Sequence, residues 1–403
     1  MPGFTKFTAV LLTLIVCALP SAAEPPHVAN GPTPRDGSEV IETRELWHRG
    51  HHDDDIFFGS VTTVQTGPDG NIYVLDQQQS EVPVFDPEGN YLHTLSREGE
   101  GPGESRQPED IVFFADNSLG LAQYINGKVI RIDLEGTPLG SFMPPGYDPQ
   151  EGGAGLGSIR RIRYRAGTLV INGSRVVPLD EGGMERTQYL VRCNESSEIL
   201  AEYLSRSTRA QLMRDGWIEK NNYFPSHERW DIDGTGRVMA ATERNEYRIT
   251  VYEPDGTVAF TFGRDSEPLK RTEDEKQELR DAVTVIRDGE RIDVEVKVED
   301  IHPIIESLYW MDSNEIWVVT NRGQFEQEPG IMMTMDVFDM EGVFLREAAF
   351  RCEGDPDEDK LVFLGDGKAA LIRGAVQARR NTFGGSRGEE EEVAMHDLKI
   401  LAF

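Results

Sequence analysis

The chain has 403 residues, and its 71 acidic against 41 basic side chains give a formal net charge of −30. A field of that sign repels nucleic acid and anionic bilayers, which are bound through clustered Lys and Arg, and favours solubility, cationic ligands and divalent metals. Of three cysteines, only Cys193 and Cys352 lie outside the N-terminal apolar run, and they are so far apart that they read as independent rather than bridged.

Taken in chain order, Lys6, an apolar run over 7–20 and Ser21-Ala22-Ala23 ahead of Glu24 read as a secretory signal peptide, 1–23. The run is shorter than the ~20 residues that a spanning helix needs, and Val16 is a poor residue to precede a lipidated Cys17. No later stretch is long and apolar enough to span a bilayer, so the expectation is an exported protein, periplasmic or extracellular. Residues 24–38 read as a flexible N-terminal segment, and 39–403 as the folded domain.

That domain repeats itself. "VFDPEG" (84–89), "RIDLEG" (131–136), "VYEPDG" (251–256) and "VFDMEG" (337–342) each put a β-rich pair and an acid before an acid-Gly turn, with "LVRCNE" (190–195) a weaker copy. Such turns join antiparallel strands, the Gly supplying positive φ. A second signature, a turn and a short apolar strand, precedes each: "PDGNIYVLD" (68–76), "ADNSLGLAQ" (115–123), "RAGTLVING" (165–173), "DGTGRVMAAT" (233–242), "DSNEIWVVT" (312–320) and "GDGKAALIRG" (365–374). Six four-stranded units beginning near Gly59, Glu109, Ser158, His227, Ile305 and Asp359 cannot each bury both faces alone, but radial packing gives them a shared core. The fold class is therefore all-β, a six-bladed β-propeller. Its last unit, with strands over 361–364, 369–373 and 393–403, is one strand short. "VIETRELW" (40–47) has no other partner and is assigned as the missing outer strand, closing the ring.

The connections from strand two to three and from blade to blade leave one face of a propeller. Here they are the long ones: 48–58, 97–108, 143–157, 205–226, 263–304 and 352–358 between blades, and 172–188, 320–331 and 373–392 within them. Binding residues concentrate on loops held by a rigid scaffold, so this face is the functional candidate. The insert over 264–304, between blades 4 and 5, is a small helix-strand unit. Thr272-Glu273-Asp274-Glu275 is a capping box, Leu279, Ala282, Val283 and Ile286 recur at helical spacing, and 291–298 alternates as a strand. It reads either as a lid or as packing over a seam.

"GEGPGE" (99–104) follows a strand but leads to another strand rather than a helix, and Glu100 and Glu104 oppose an anion, so it is a connector and no phosphate cradle. His51-His52-Asp53-Asp54-Asp55 holds metal-ligand types without a spaced partner motif and reads as a solvated acidic loop; Glu389–Glu392 reads as an exposed charge run. No Gly-x-Ser-x-Gly, His-Glu-x-x-His or Cys-x-x-Cys pattern anchors a nucleophilic, zinc-protease or thiol-redox reading. The candidate ligand-binding residues are polar groups near the mouths of the innermost strands: Asp110, Arg161, His227, Glu228, Arg229, His302, Glu306 and Asp359. They come from five blades and are expected to converge on the channel. Arg161, His227, Arg229 and Glu306 are expected to contact the ligand directly, with the insert close enough to gate it.

On "DGNIYVLD" (69–76), "VFDPEGNYLHTL" (84–95), "GEGPGE" (99–104) and "VYEPDGTVAFTFG" (251–263), the chain resembles bacterial exported six-bladed propellers related to NHL-repeat proteins. Proteins of that architecture include ligand-binding and sensor modules, metal-dependent lactonases and amidating lyases, so the resemblance implies blades and leaves chemistry open. No catalytic residue carries over. The leading expectation is a non-catalytic binding or scaffold propeller that recognises a small molecule, glycan or protein on its long-loop face, with no cofactor. The alternative is a metal-dependent hydrolase or lyase holding a divalent metal with channel-mouth acids.

Overall fold

The computed structural model describes residues 24–50, 56–125, 127–144, 156–179, 183–210, 216–283, 285–287, 290–383 and 396–403. The signal-peptide reading, the His51–Asp55 loop and the Glu389–Glu392 run lie outside these residues.

Six antiparallel blades follow one another in chain order. From inner to outer strand, blade 1 is Val61–Thr66, Ile72–Asp76, Val82–Phe85 and Tyr91–Leu95; blade 2 is Pro108–Phe113, Leu119–Gln123, Val129–Ile132 and Pro138–Phe142. Blade 3 is Leu156–Arg165, Thr168–Pro178, Met184–Cys193 and Ile199–Ala210; blade 4 is Trp230–Ile232, Val238–Ala240, Ile249–Tyr252 and Val258–Arg264. Blade 5 is Ile305–Met311, Glu315–Thr320, Ile331–Phe338 and Phe344–Arg351. Blade 6 is Lys360–Gly365, Lys368–Ile372, Leu398–Ala402 and, from the N-terminus, Arg44–Arg49.

The repeated turns carry the backbone that their sequence requires. Gly89, Gly136, Gly256 and Gly342 all have φ between 82° and 92°, and in the copy without glycine Ser197 takes the left-handed position at φ 67°. Each blade hides its faces against its two neighbours, so the buried apolar residues form one cluster per seam. Tyr73, Leu75 and Val84 meet Ile111, Leu119 and Leu121 between blades 1 and 2, and Val112 and Phe114 meet Ile162 and Ile171 between blades 2 and 3. Val170 and Leu190 meet Trp230 and Val238 at the next seam, Ile249 and Phe262 meet Ile305 and Phe338, and Val337 and Phe350 meet Leu361 and Leu371. The sixth cluster joins Ile372, Ile400 and Trp47 to Phe58, Ile72 and Phe85, and so closes the ring.

The inner strands of neighbouring blades belong to separate sheets, and side chains latch them, beside a backbone bond from Leu308 N to Glu228 O (2.6 Å) between blades 4 and 5. Gln65 Nε2 donates to Ile111 O (2.6 Å), Asp110 Oδ2 accepts from Ile162 N (2.9 Å), and Arg161 donates to Trp230 O (2.6 Å). Asp231 Oδ2 accepts from Trp310 N (3.0 Å), Asp312 Oδ2 from Asp366 N (3.2 Å), and Lys360 Nζ donates to Thr62 O (2.9 Å). Every seam therefore has at least one such bond. Cys193 and Cys352 are buried, unbridged, and belong to different seams.

Four expectations are corrected. The closing strand is Arg44–Arg49 rather than 40–47, because Val40 belongs to Ser38–Glu42, which adds in parallel to the outer strand of blade 5. Residues 24–38 are not wholly flexible: His27–Asn30 adds in parallel to the outer strand of blade 4, and Asn30 fixes it with bonds to Gly263 O, Gly342 O and Phe344 N. The N-terminal segment thus laces two blade edges before closing a third, in strands too short and polar to show periodicity. The expected long loop over 172–188 is largely ladder, as the strands of blade 3 run on in register to Pro178 and Met184. In the insert, the capped helix spans Glu273–Ala282 and stops there, since β-branched Val283 takes an extended ψ of 105° and Ile286 falls in a strand, Val285–Arg287. The expected strand over 291–298 is two short ones, Glu290–Ile292 and Val296–Lys297.

Candidate functional site

The eight candidate residues separate into three groups. Asp110, Arg161 and Asp359 serve the scaffold. The Asp110 carboxylate is buried and also takes Ile111 N (3.0 Å) and Arg163 (2.8 Å), while Asp359 accepts from Asp355 N (2.9 Å), Gly374 N (2.8 Å) and Arg373 (2.8 Å). Arg161, expected to meet a ligand, is 5 % exposed, and both its carbonyl acceptors, His227 O (2.5 Å) and Trp230 O, belong to the approach to blade 4. Its guanidinium lies over the Trp230 ring at 5.2 Å. The two aspartates are occupied by backbone N–H groups and arginines, and Arg161 by two carbonyls with its Nε left without a partner among the described residues.

The second group sits at the channel mouth. His227 has φ 54°, a left-handed conformation costly for a residue with a Cβ, and the Arg161 bond to its carbonyl helps hold it. Its Nδ1 lies 3.7 Å from Glu109 Oε1, and Arg379 lies 2.6 Å from the same oxygen and 3.4 Å from His227 Nε2. Gln77 Nε2 donates to the other Glu109 oxygen at 2.7 Å. Burial, and then the cations Arg379, Arg160, Lys360 and Arg161, hold the imidazole pKa well below its ordinary value. Beside it, Glu228 pairs with Lys360 at 2.7 Å. Burial pushes the Glu228 carboxyl up, but Lys360, Arg161 and Arg379 more than reverse this and hold it at about 2.

Arg229, His302 and Glu306 form the third group, in a pocket of about 910 Å3 between blades 4 and 5 and the insert. Arg229 donates to Ile305 O (2.9 Å) and Glu306 (2.7 Å), and lies over Tyr223 at 5.6 Å. His302 Nε2 is 3.2 Å from Glu275 of the insert helix and its ring is 4.9 Å from that of Phe325. The insert is pinned by one partly buried carboxylate. Glu219 accepts from Arg244 (2.6 Å), Arg271 (2.7 Å) and Glu299 N (2.8 Å), while Trp217–Ile218 pairs with Val296–Lys297. Burial alone raises the Glu219 carboxyl, yet these donors leave it below its ordinary range.

No helix residue of Glu273–Ala282 is buried, and Leu279 and Ala282 of its apolar side line the pocket with Trp217, Tyr223 and Phe325. The helix therefore walls a cavity where a core would otherwise be. Sequence reasoning missed Glu109 and Lys360, although each adjoins a chosen aspartate. It also missed Trp217, Glu219, Arg244 and Arg271, whose pairings span 25 to 80 residues and leave no local signal. A second cavity of about 320 Å3 fills the channel, lined by inner strands of all six blades, with Arg161 and Glu228 in its wall. Among the described residues no three His, Cys, Asp or Glu side chains gather as a metal site, and no helix is long and apolar enough to cross a membrane.

A family model described as a 6-bladed beta-propeller matches residues 52–142. No curated protein sequence matches the chain. Solved structures with a similar course include a protein from Bacteroides fragilis NCTC 9343 described as exported, 12% identical over 94% of this chain and 99% of that one, at a TM-score of 0.47. Virginiamycin B lyase from Staphylococcus aureus is 8% identical over 90% of this chain and 100% of its own, at 0.43. A PQQ-bound aldose sugar dehydrogenase from Streptomyces coelicolor is 12% identical over 89% and 98%, at 0.40.

Proposed function

We propose that the protein is an exported binding propeller that takes a small polyhydroxylated molecule, a free sugar or the end of a glycan, in the pocket between blades 4 and 5 and the insert. The observation that carries this reading is the pocket's composition. The rings of Trp217, Tyr223 and Phe325 and the apolar Leu279 and Ala282 offer flat surface to C–H faces. Around them Arg229, Arg244, Arg271, Glu219, Glu275 and Glu306 present donors and acceptors already held in ion pairs, a rigid arrangement suited to hydroxyls. The apolar run ahead of Glu24 supports export.

A binding role is favoured over a metal-dependent hydrolase or lyase by the fate of the channel-mouth acids. Asp110 and Asp359 are consumed by backbone N–H groups and arginines, and Glu109 and Glu228 face cations. Carboxylates so occupied have little left to offer a divalent ion.

The test is titration of the purified mature protein with a panel of neutral mono- and oligosaccharides, followed by tryptophan fluorescence and calorimetry. At least one sugar is expected to bind with its signal at Trp217, and Trp217→Ala to weaken it at least tenfold, as loss of a stacking platform does. Full affinity in Trp217→Ala, or saturable binding of no sugar in the panel, would refute the reading.

A further inference from the structure

In a chain of net charge −30, one part of the long-loop face runs against the field. The extended strands of blade 3 put Arg186 opposite Thr208 and Gln188 opposite Arg206, so Arg186 and Arg206 lie two rows apart on one face of the hairpin. Both reach the segment before blade 4: Arg186 donates to Asn222 Oδ1 and Arg206 to Tyr223 O (3.1 Å). Arg160, in the β-bulge of the inner strand between Ile159 and Arg161, lies over the Tyr124 ring at 3.9 Å and donates to its hydroxyl. Its neighbours Ile159 and Arg161 pair with Gly173 and Asn172, on the strand whose Val176 pairs with Arg186, so Arg160 belongs to the same end of blade 3 as Arg186 and Arg206.

None of Arg160, Arg186 and Arg206 has a carboxylate within ion-pair distance among the described residues; their partners are a phenol, an amide and a carbonyl. Arg379 and Lys360 add two further cations nearby, against the carboxylates of Glu109 and Glu228. Gathering like charges costs free energy, and Arg186 shows it: burial first, then Arg160 and Arg206, lower its pKa. Such an arrangement is relieved by an anion with several acceptor oxygens, which planar guanidinium forks match. The distant acidic surface does not cancel this, because exposed charges are screened beyond ~8 Å at physiological ionic strength.

We propose that Arg160, Arg186 and Arg206 form a binding site for an oxyanion, a carboxylate, sulfate or phosphate group, at the mouth of the channel. The site stands apart from the sugar pocket, since none of the three lines that cavity. It adjoins it through Asn222 and Tyr223, which face the pocket and meet Arg186 and Arg206. One ligand bearing both hydroxyls and an acidic group is therefore able to span the two.

The experiment titrates the full mature chain with sodium sulfate, sodium phosphate and sodium glucuronate by calorimetry and thermal shift, against sodium chloride at matched ionic strength. At least one oxyanion is expected to bind saturably and raise the unfolding temperature, with chloride inert. The double variant Arg160→Gln, Arg206→Gln is expected to lose at least tenfold in affinity while keeping its circular dichroism and its anion-free unfolding temperature. Arg206→Ala alone, at an exposed position, serves if the double variant is unstable. Tighter binding of glucuronate than of sulfate identifies an acidic sugar as the source, and the reverse a sulfate or phosphate ester. Trp217→Ala is expected to leave sulfate binding unchanged, separating failure of this site from failure of the pocket. An equal thermal shift with chloride, or undiminished affinity in both arginine variants, would overturn the proposal.

Discussion

Ring closure by the N-terminus is testable at one side chain. Trp47 is 7 % exposed on the strand Arg44–Arg49, packs on Phe85 at a centroid distance of 5.5 Å, and donates its Nε1 to Pro87 O at 3.1 Å. Gly89 makes room for it, since a Cβ there would lie 2.6 Å from the indole. Trp47→Ala opens a cavity in the seam between blades 6 and 1, at about 3–5 kcal/mol for a buried aromatic. It also removes the donor to Pro87 O, worth about 1 kcal/mol. The expected loss of about 4–6 kcal/mol is a large part of the ~5–15 kcal/mol that separates native from unfolded states, so the urea midpoint should fall sharply. Circular dichroism in the far ultraviolet is the suitable probe, because it follows all six blades and is insensitive to the lost indole. Val40→Ala, at a residue 47 % exposed on the neighbouring strand, is the control and should cost under about 0.5 kcal/mol. A loss below about 1 kcal/mol for Trp47→Ala, or equal losses for both variants, would refute closure through Arg44–Arg49.

Two further outcomes follow from the charges. His396 is 2 % exposed with Nδ1 3.1 Å from Arg373 O, and burial lowers its pKa below 6.5. Native His396 takes up its proton at lower pH than the unfolded chain does, so its share of stability, complete above about pH 6.5, is lost as pH falls toward the native pKa, at no more than about 1.4 kcal/mol per pH unit. His396→Gln should therefore flatten the pH dependence of the unfolding temperature between pH 7 and 5.5; an unchanged slope counts against it. Lys360→Met should strand the Glu228 carboxylate and Thr62 O, and Glu228→Gln should restore part of the loss. Since both ion-pair side chains are partly exposed, the coupling is expected at about 1–2 kcal/mol in a double-variant cycle of urea midpoints. Additive effects would show that the pair does not act as one.

The blades were legible because their signals are local. An acid-Gly turn four residues long specifies its own backbone, and four such copies gave the hairpins that Gly89, Gly136, Gly256 and Gly342 now make. The capping box at Thr272 was equally local and is present with both reciprocal bonds. The site was less legible because its pairings are between blades. Asp110, Arg161 and Asp359 look like functional charges in sequence, and only the fold shows that the backbone of a neighbouring blade or loop has claimed them. Conversely Glu219, which pins the insert, lies in no recognisable pattern, since its partners Arg244, Arg271 and Glu299 are set beside it by two separate connections. His27–Asn30 and Ser38–Glu42 escaped for another reason. An added edge strand needs only backbone partners, so its side chains carry little trace of it.

The disposition of the charges divides the molecule's interior into two compartments. The channel cavity is lined from the tight-turn ends, at Thr66, Arg165, Asp312 and Gly365, up to Arg161 and Glu228. Above these, Lys360 pairs with Glu228, and His227 lies between Glu109 and Arg379. To pass from the long-loop face into the channel, a ligand must break this layer and take the partners from Glu109, which is buried and costs several kcal/mol when left unpaired. The six latched seams leave the inner strands little freedom to move apart and lower that cost. Recognition is therefore better served on the face than in the channel. There the insert supplies a wall that is joined to the blades by ion pairs and one two-residue strand pairing rather than by a packed core. Such a wall has a lower cost of displacement than any blade, which makes it the element of the fold best suited to adjust around a bound molecule.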